Sequence, residues 1–390
     1  MRVCHGAIHT VPATIARRMS PSLRNDSASH RAYRGRDAAR PAVAPERLTP
    51  TAPVTVLVPA YNEGASIADT ILSLRTQSVA PHDILVIDDC STDDTGDVAR
   101  RLGATVIRPP QNTGSKAGAQ SFALRYVSTP FVIAIDADTT LAPDAIERLL
   151  PAFQDAEVVA ACGTVLPRHV RTIWERGRYV EYLFAFTFYK RVQDQFGAPM
   201  IASGCFSMYR TEVLRSVGGW STRTLAEDMD LTWSMYERGH RVRFIPEAVS
   251  YPIEPHNYHF LAKQLRRWSH GFVQNVVRHR RALLDVPFLR SAVAVSFWDA
   301  VVAAALYLFL LPALALALRN PWLLVGYVID IPAVAVPVLV GAAMRGETRR
   351  ALASLPAFFV LRTVNAWHFL RAAWMELVMR RSFTTYEKGH

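Results

Sequence analysis

Short β-branched runs alternate with helical periods between residues 54 and 136, and each run ends in a polar cluster. That alternation predicts an α/β domain on a mostly parallel sheet of doubly wound type. Two long apolar stretches in the last hundred residues add transmembrane helices to it. Residues 1–52, rich in Ala, Arg, Ser and Pro without periodicity, read as a disordered basic tail. The expected organisation is therefore a tail over 1–52, an α/β domain over 53–290 and a membrane region over 291–390.

The first strand covers 54–58 and is stopped by Pro59, and residues 67–77 follow with helical period. A second strand over 84–87 ends in Asp88-Asp89, with a helix through 99–102 behind it. Residues 104–107 form a third strand, 117–127 a helix, and 131–135 a fourth strand ended by Asp136. In such sheets ligands sit beyond the carboxyl ends of the strands. Each polar cluster of this chain falls there.

The chain has 390 residues, 44 Lys+Arg against 33 Asp+Glu for a net charge of +11, and a mean hydropathy of +0.10. It is too apolar for a disordered chain and oily for a wholly soluble one. Residues 1–50 hold nine basic and three acidic residues, and 261–290 hold seven basic residues and one acid. Each segment carries +6, so the remainder is close to neutral. Cys4, Cys90, Cys162 and Cys205 lie far apart with no C-x-x-C pair, which excludes a disulfide framework and a zinc ligand set. The first 30 residues lack a signal-peptide core, and Met19 is an alternative start.

Residues 291–318 contain one charge, Asp299, and 321–344 contain one, Asp330. Both stretches exceed the roughly 20 apolar residues that cross a bilayer core. A third, 351–378, carries Arg362, Asn365, His368, Arg371 and Glu376; it either crosses facing other helices or lies at the interface. Arg278–Arg281 and the Arg345–Arg350 loop each hold three arginines. The positive-inside rule places both in the cytoplasm and the Arg319-Asn320 turn outside. The expectation is a multi-pass plasma-membrane protein with a cytoplasmic catalytic domain and no nucleic-acid partner.

Tyr61-Asn62-Glu63 closes the first strand with an aromatic plate, an amide and a carboxylate, suited to a flat base and its N–H and hydroxyl protons. A plain strand-end turn has similar residues. In Asp88-Asp89-Cys90-Ser91, helix capping and a ligand role for Asp88 or Asp89 are compatible. The small residues and Lys116 of 112–119 suit an anion at a helix start, without Walker spacing. Asp136-Ala137-Asp138 sets two carboxylates at i and i+2 beyond a buried strand, which favours Mg²⁺ or Mn²⁺ bridging a diphosphate over a capped turn. Glu227, Asp228 and Asp230 head a helix over 231–238, where the helix dipole favours acids and a general base is also expected. Gln264, Arg267 and Trp268 share one helical face. They offer an amide, a phosphate-matched guanidinium and an indole plate for a sugar ring, although a basic membrane-surface helix has the same pattern.

The ordered set Pro-x-Tyr-Asn-Glu, Asp-Asp-x-Ser, Asn-x-Gly-x-Lys-x-Gly-Ala, Asp-x-Asp, Ser-Gly, Glu-Asp-x-Asp-Leu and Gln-x-x-Arg-Trp resembles the family 2 processive β-glycosyltransferases. These include the synthases of cellulose, chitin, hyaluronan and poly-N-acetylglucosamine. The resemblance covers about residues 54–275 and the membrane-spanning tail, with Gln-x-x-Arg-Trp after Glu-Asp its most specific element. It implies a GT-A type nucleotide-sugar-binding domain. Tyr61, Glu63 and Asp89 would hold the uridine of a UDP-sugar such as UDP-N-acetylglucosamine, Lys116 and Asp136 would seat the nucleotide, and Asp138 would bind the metal. Asp228 would be the general base, with the metal and Arg267 stabilising the departing UDP. Gln264 would contact the diphosphate or acceptor, Trp268 would stack on the acceptor's terminal sugar, and Ser203, Gly204, Cys205 and Glu227 would shape the acceptor site. The aromatic run Tyr179, Tyr182, Phe184, Phe186, Phe188 and Tyr189 reads as a packed or membrane-skimming helix.

Two departures stand out. Ala226 occupies a position where many relatives carry Thr or Gly, and no span precedes the catalytic domain in this sequence. Two or three helices make a thin conduit for a long polymer, so a dimer, an accessory membrane subunit or short products are expected. The competing readings are a transferase adding one sugar to a lipid-linked or glycolipid acceptor, and an inactive membrane scaffold.

Overall fold

The computed structural model describes residues 51–384 apart from Asp330. The expected tail falls outside these residues except at its end, where Thr51 and Ala52 already belong to the first strand. The chain runs β1 (Thr51–Ala60), α1 (Ile67–Arg75), β2 (Ala80–Asp88), α2 (Thr95–Arg101), β3 (Thr105–Ile107), α3 (Lys116–Ala123), β4 (Phe131–Ile135), β5 (Thr140–Leu141), α4 (Ala145–Leu149) and β6 (Val158–Val165). It continues with α5 (Ile173–Phe184), α6 (Lys190–Gln195), β7 (Phe206–Arg210), α7 (Thr211–Ser216), α8 (Glu227–Tyr236), β8 (Arg241–Tyr251) and α9 (Tyr258–Arg278). The last helices are α10 (Ala282–Asp285), α11 (Pro287–Phe297), α12 (Leu311–Ala317), α13 (Ile331–Met344) and α14 (Thr348–Ala373).

The eight strands form one sheet in the order β3-β2-β1-β4-β7-β6-β8-β5. β3, β2, β1 and β4 are parallel neighbours, as the β-α alternation predicts. Their side chains alternate between two apolar clusters. Val54, Val56, Ile133 and Ile135 join Ile67, Ile71 and Leu74 of α1, whereas Leu57, Leu85 and Ile87 join Ala117, Ala119 and Ala123 of α3. Burial on both faces explains why these strands read as continuous apolar runs.

The second half of the sheet departs from simple alternation. β7 runs antiparallel to both β4 and β6, while β6 and β8 are parallel and β5 is antiparallel to β8. The reversal has a positional consequence, because Ile135 pairs with Phe206. The residues just beyond β4 and those just before β7 therefore share one edge. Asp136 meets the Ser203–Cys205 segment there, although some 70 residues separate them in sequence.

α8 begins at Glu227, four residues earlier than expected, which puts Glu227, Asp228 and Asp230 in its first turn. Leu231 and Trp233 bury its opposite face in the core. α9 starts at the Asn257 cap, whose side chain accepts the Phe260 amide at 2.9 Å.

Two C-terminal helical segments, Pro287–Ala317 and Pro321–Met344, are long and apolar enough to cross a membrane by length and composition. The first starts at Pro287, a favoured first helical residue that moves its beginning ahead of the expected residue 291. The second opens as a 3₁₀ turn over Pro321–Val328 before α13; Asp330 between them lies outside the described residues. Trp298, Phe309, Leu316 and Trp322 are exposed along them, an apolar surface that suits lipid better than water.

The third apolar stretch behaves differently. Leu361 of α14 packs on Leu261 and Leu265 of α9, and Ala351 joins Tyr179 and Leu183 of α5. Two of its polar residues point into the protein: Asn365 donates to Glu181 at 2.9 Å, and Glu376 accepts from Gln274 at 2.9 Å and faces His270 Nδ1 at 2.7 Å. α14 is thus the seam between the sheet domain and the two apolar segments.

Candidate active site

All fourteen residues assigned a role from the sequence line one cavity of about 1250 Å³. It lies at the carboxyl edge of β1, β2 and β4 and is walled by α3, α5, α8 and α9.

At the end of β1, Asn62 turns the chain with φ 53°, a left-handed geometry that Asn tolerates. The turn is sewn to the end of β2. Asn62 N–H donates to Ser91 Oγ at 3.0 Å, Glu63 N–H to Thr95 Oγ1 at 2.7 Å, and Thr92 N–H to Asn62 Oδ1 at 2.8 Å. Tyr61 remains 42% exposed at the rim. The two adjacent acids after β2 divide. Asp88 turns away from the cavity and takes Arg108 at 2.9 Å and the Ser91 amide at 2.9 Å. Asp89 lines the cavity, yet both its oxygens accept from Thr113, one from the amide and one from the hydroxyl, each at 2.8 Å. Its carboxylate anchors the loop before α3 as well as facing the cavity.

Lys116 begins α3, where Ser115 caps the helix by accepting the Gly118 amide at 3.1 Å. Its ammonium pairs with Asp136, donates to the Gly204 carbonyl at 2.9 Å and lies 3.9 Å from Glu227. Asp138 stands half-buried two residues on, with Arg168 donating to its carbonyl at 2.6 Å. Among the described residues no group of three or more His, Cys, Asp and Glu gathers to hold a metal. Asp136 and Asp138 nevertheless fit a Mg²⁺ or Mn²⁺ ion, which needs one or two carboxylates when phosphate oxygens and water complete its shell.

Gly204 is the junction of the site. Its amide donates to Asp228 Oδ2 at 2.8 Å while its carbonyl takes Lys116. A Cβ at this position would lie 3.1 Å from both Asp228 Oδ2 and Lys116 Nζ, so the close approach calls for glycine. Lys190 of α6 holds the preceding residue, donating to Ser203 Oγ at 2.8 Å. The other Asp228 oxygen accepts the Met229 amide at 2.8 Å. Burial pushes the Glu227 carboxyl up, and Asp228 adds to the rise while Lys116 and Arg267 offset part of it.

The third acid of the first turn is not part of the cavity. Asp230 is buried against Arg223 Nε at 2.9 Å and His279 Nε2 at 2.8 Å. Burial alone would raise its carboxyl, but hydrogen bonds from His279 and Arg223 outweigh that and hold it below the ordinary value. Helix geometry separates it from Asp228, which it follows by about 200° at roughly 100° per residue, and turns it toward His279 at the end of α9.

On α9, Gln264 Oε1 accepts from Arg178 at 2.7 Å, and the Arg178 guanidinium lies 4.6 Å from the Trp268 ring centroid. Gly271, one turn further, lets α9 close on α8; a Cβ there would lie 2.6 Å from Ala226 N. The aromatic run also divides: Tyr182, Phe184, Phe186 and Tyr189 line the cavity, whereas Tyr179 is buried and bonds Glu347 at 2.8 Å. Sequence reasoning missed Arg178, Glu181, Lys190, Glu254 and Asn365. The signal available for Arg178 was an arginine flanked by aromatic and apolar residues on a helix. Cys90, Cys162 and Cys205 are free thiols.

A mostly parallel sheet with an Asp-x-Asp at its carboxyl edge and an acid pair facing a glycine amide is the arrangement of a GT-A fold. Residues 55–218 match the family model Glycosyl transferase family 2, which makes this segment a glycosyltransferase domain. Among curated relatives it is similar to a poly-beta-1,6-N-acetyl-D-glucosamine synthase of Staphylococcus aureus, 28% identical over 222 residues, covering 56% of this chain and 54% of that one. It is also similar to the glycosyltransferase YaiP of Escherichia coli, 31% identical over 247 residues and covering 60% of each chain. The chain spans between half and two thirds of the length of these relatives. Among solved structures, a mannosyltransferase of Pyrobaculum calidifontis, in complex with GDP-Man and Mn²⁺, shares the fold with a TM-score of 0.54 at 22% identity, covering 84% of this chain and 88% of that one.

Proposed function

We propose that this chain is a membrane-bound inverting glycosyltransferase that moves a sugar from a UDP-sugar, UDP-N-acetylglucosamine or a related UDP-hexose, onto a growing β-linked polysaccharide. The observation that carries this reading is the convergence of all fourteen residues on one cavity, with Lys116, Asp136 and Asp228 gathered around Gly204. The likeness to a poly-N-acetylglucosamine synthase supports the polymer product.

In this reading Tyr61, Glu63 and Asp89 bind the uridine. Lys116, freed from Asp136 as the nucleotide enters, and Arg267 take the diphosphate charge. Mg²⁺ or Mn²⁺ at Asp138 supplies Lewis-acid stabilisation of the leaving group when bound. Trp268 carries the terminal sugar of the acceptor against Ser203–Cys205 and Glu227. An acceptor hydroxyl attacks the anomeric carbon from the face opposite UDP, the C–O bond to the diphosphate breaks, and Asp228 takes the hydroxyl proton. The Gly204 and Met229 amides fix the orientation of the Asp228 carboxylate for that transfer.

The two apolar segments would place the protein in the plasma membrane as a multi-pass chain with the site on the cytoplasmic side, next to the basic residues 261–290. A second copy or an accessory membrane subunit would complete a conduit. A second reading, addition of one sugar to a lipid-linked acceptor, is favoured by the cavity's extension past Tyr307 and Tyr327 between the apolar helices.

Membranes containing the protein, incubated with a panel of radiolabelled UDP-sugars and Mg²⁺ or Mn²⁺, test the proposal, with product length read by mass spectrometry. A polymer supports the first reading and a single added sugar the second. No incorporation from any donor, with wild type and Asp228→Asn behaving alike in cells, overturns both and leaves the inactive scaffold.

A further inference from the structure

Arg178 of α5 is 1% exposed and does not line the cavity. It stands one layer behind the wall and touches four residues that do. Its guanidinium donates to Glu181 Oε2 at 2.5 Å and to Gln264 Oε1 at 2.7 Å, lies 4.6 Å from the Trp268 ring centroid, and has Nε 3.8 Å from Glu254 Oε2. Two of these partners are anchored in turn. Asn365 of α14 donates to Glu181 at 2.9 Å, and Tyr182 donates to Glu254 at 2.7 Å.

Removing a guanidinium from water is costly, and a buried ion pair is a poor source of stability compared with apolar packing. Among the described residues Arg178 Nε and Glu254 Oε2 have no hydrogen-bond partner, which costs stability rather than adding to it. What the planar fork provides is geometry: two fixed donor directions and a flat face for an indole. One side chain thereby sets both the Gln264 amide and the Trp268 ring, which sit one helical turn apart on α9.

We infer that Arg178 is a positioning residue: it orients the Trp268 ring toward the acceptor with the Gln264 amide held beside it and, through Glu181 and Asn365, ties that orientation to α14. The inference rests on the acceptor reading of Trp268 given above. Arg178 acts only through these side chains and leaves the nucleotide side, at Tyr61, Glu63 and Lys116, untouched.

The test uses the full chain in detergent, labelled with 5-fluorotryptophan, with the Trp268 ¹⁹F resonance assigned by its loss in Trp268→Phe. In Arg178→Lys, which keeps the charge and loses the fork, that resonance is expected to shift and broaden while those of the other tryptophans hold. With donor and acceptor oligosaccharide, acceptor KM is expected to rise roughly tenfold or more, the scale of a lost charge-assisted hydrogen bond, with donor KM within about twofold. An unmoved Trp268 resonance in a folded variant, or activity that falls only with the folded fraction, overturns the inference. If Arg178→Lys does not fold, Gln264→Met removes one arm from the α9 side, and the Trp268 resonance must still move. Should the wild type transfer no sugar, the functional reading fails, while the ¹⁹F result still decides whether Arg178 sets Trp268.

Discussion

Gly204 and Asp228 are joined at 2.8 Å, amide to carboxylate, across the gap between the segment before β7 and the first turn of α8. The carbonyl of the same residue, in the next peptide unit, takes Lys116. One residue without a side chain thus spaces the proposed base from the proposed diphosphate cation.

Gly204→Ala tests that spacing. The added Cβ, 3.1 Å from Asp228 Oδ2 and from Lys116 Nζ, pushes both by a few tenths of an ångström. Because both are tips of side chains, the fold tolerates the change, and melting temperature is expected to move little. Transfer is expected to fall by roughly 10- to 100-fold, since small misplacements of reacting groups are costly. Steady-state rates beside a thermal melt check it.

At Gly271 the effect is reversed. A Cβ there meets backbone, 2.6 Å from Ala226 N and 2.7 Å from Ala226 Cβ, so Gly271→Ala must displace α9 from α8. Overpacking of this kind costs about 1–3 kcal/mol. The expected outcome is lower stability and loss of activity together, read by denaturant unfolding and rates on the same sample.

Burial raises the Glu254 carboxyl to about 6, although Arg178 and the Tyr182 hydroxyl partly offset the rise. An acid raised on folding makes the folded state bind more protons than the unfolded state between the two values. Stability from this group is therefore complete below about 4.5 and is lost as pH rises towards 6. The loss amounts to about 2 kcal/mol, at 1.36 kcal/mol for each pKa unit. Glu254→Gln is expected to flatten that part of a plot of unfolding free energy against pH. A profile with the wild-type slope between pH 4.5 and 6 would refute the assignment.

Metal dependence is expected to act through Asp138. Chelation with EDTA should abolish transfer, and Mn²⁺ or Mg²⁺ should restore it. In Asp138→Asn, restoration should need roughly ten- to hundredfold more metal, the scale seen when ligation is perturbed. Titrating rate against free metal in both proteins decides it.

Much of the sheet domain was legible beforehand because buried parallel strands and their polar ends have local signatures. β4 begins and ends where its apolar run does, at Phe131 and Ile135. α8 was displaced by four residues because nothing local marks its start: Ala226 offers no side-chain cap, and packing of Leu231 and Trp233 sets the helix. The roles of the adjacent acids were not separable in sequence either. Asp88 and Asp89, like Asp228 and Asp230, are near neighbours in the chain but face different partners.

By itself the sequence determined the chemistry available and its order along the chain: an aromatic-amide-acid turn, Asp-x-Asp, an acid pair, and Gln-x-x-Arg-Trp, followed by two lipid-length apolar segments. Strand periodicity also placed the early motifs at one sheet edge. Only the tertiary structure decided that β7 runs backwards beside β4, bringing Gly204 to Asp228 and Lys116. It alone revealed Arg178 behind Trp268, and α14 as a seam between the sheet domain and the apolar helices. The physical reason is range. Periodicity and strand ends are set by neighbours a few residues apart, whereas these contacts join residues 24 to 184 positions apart and exist only once the layers have packed.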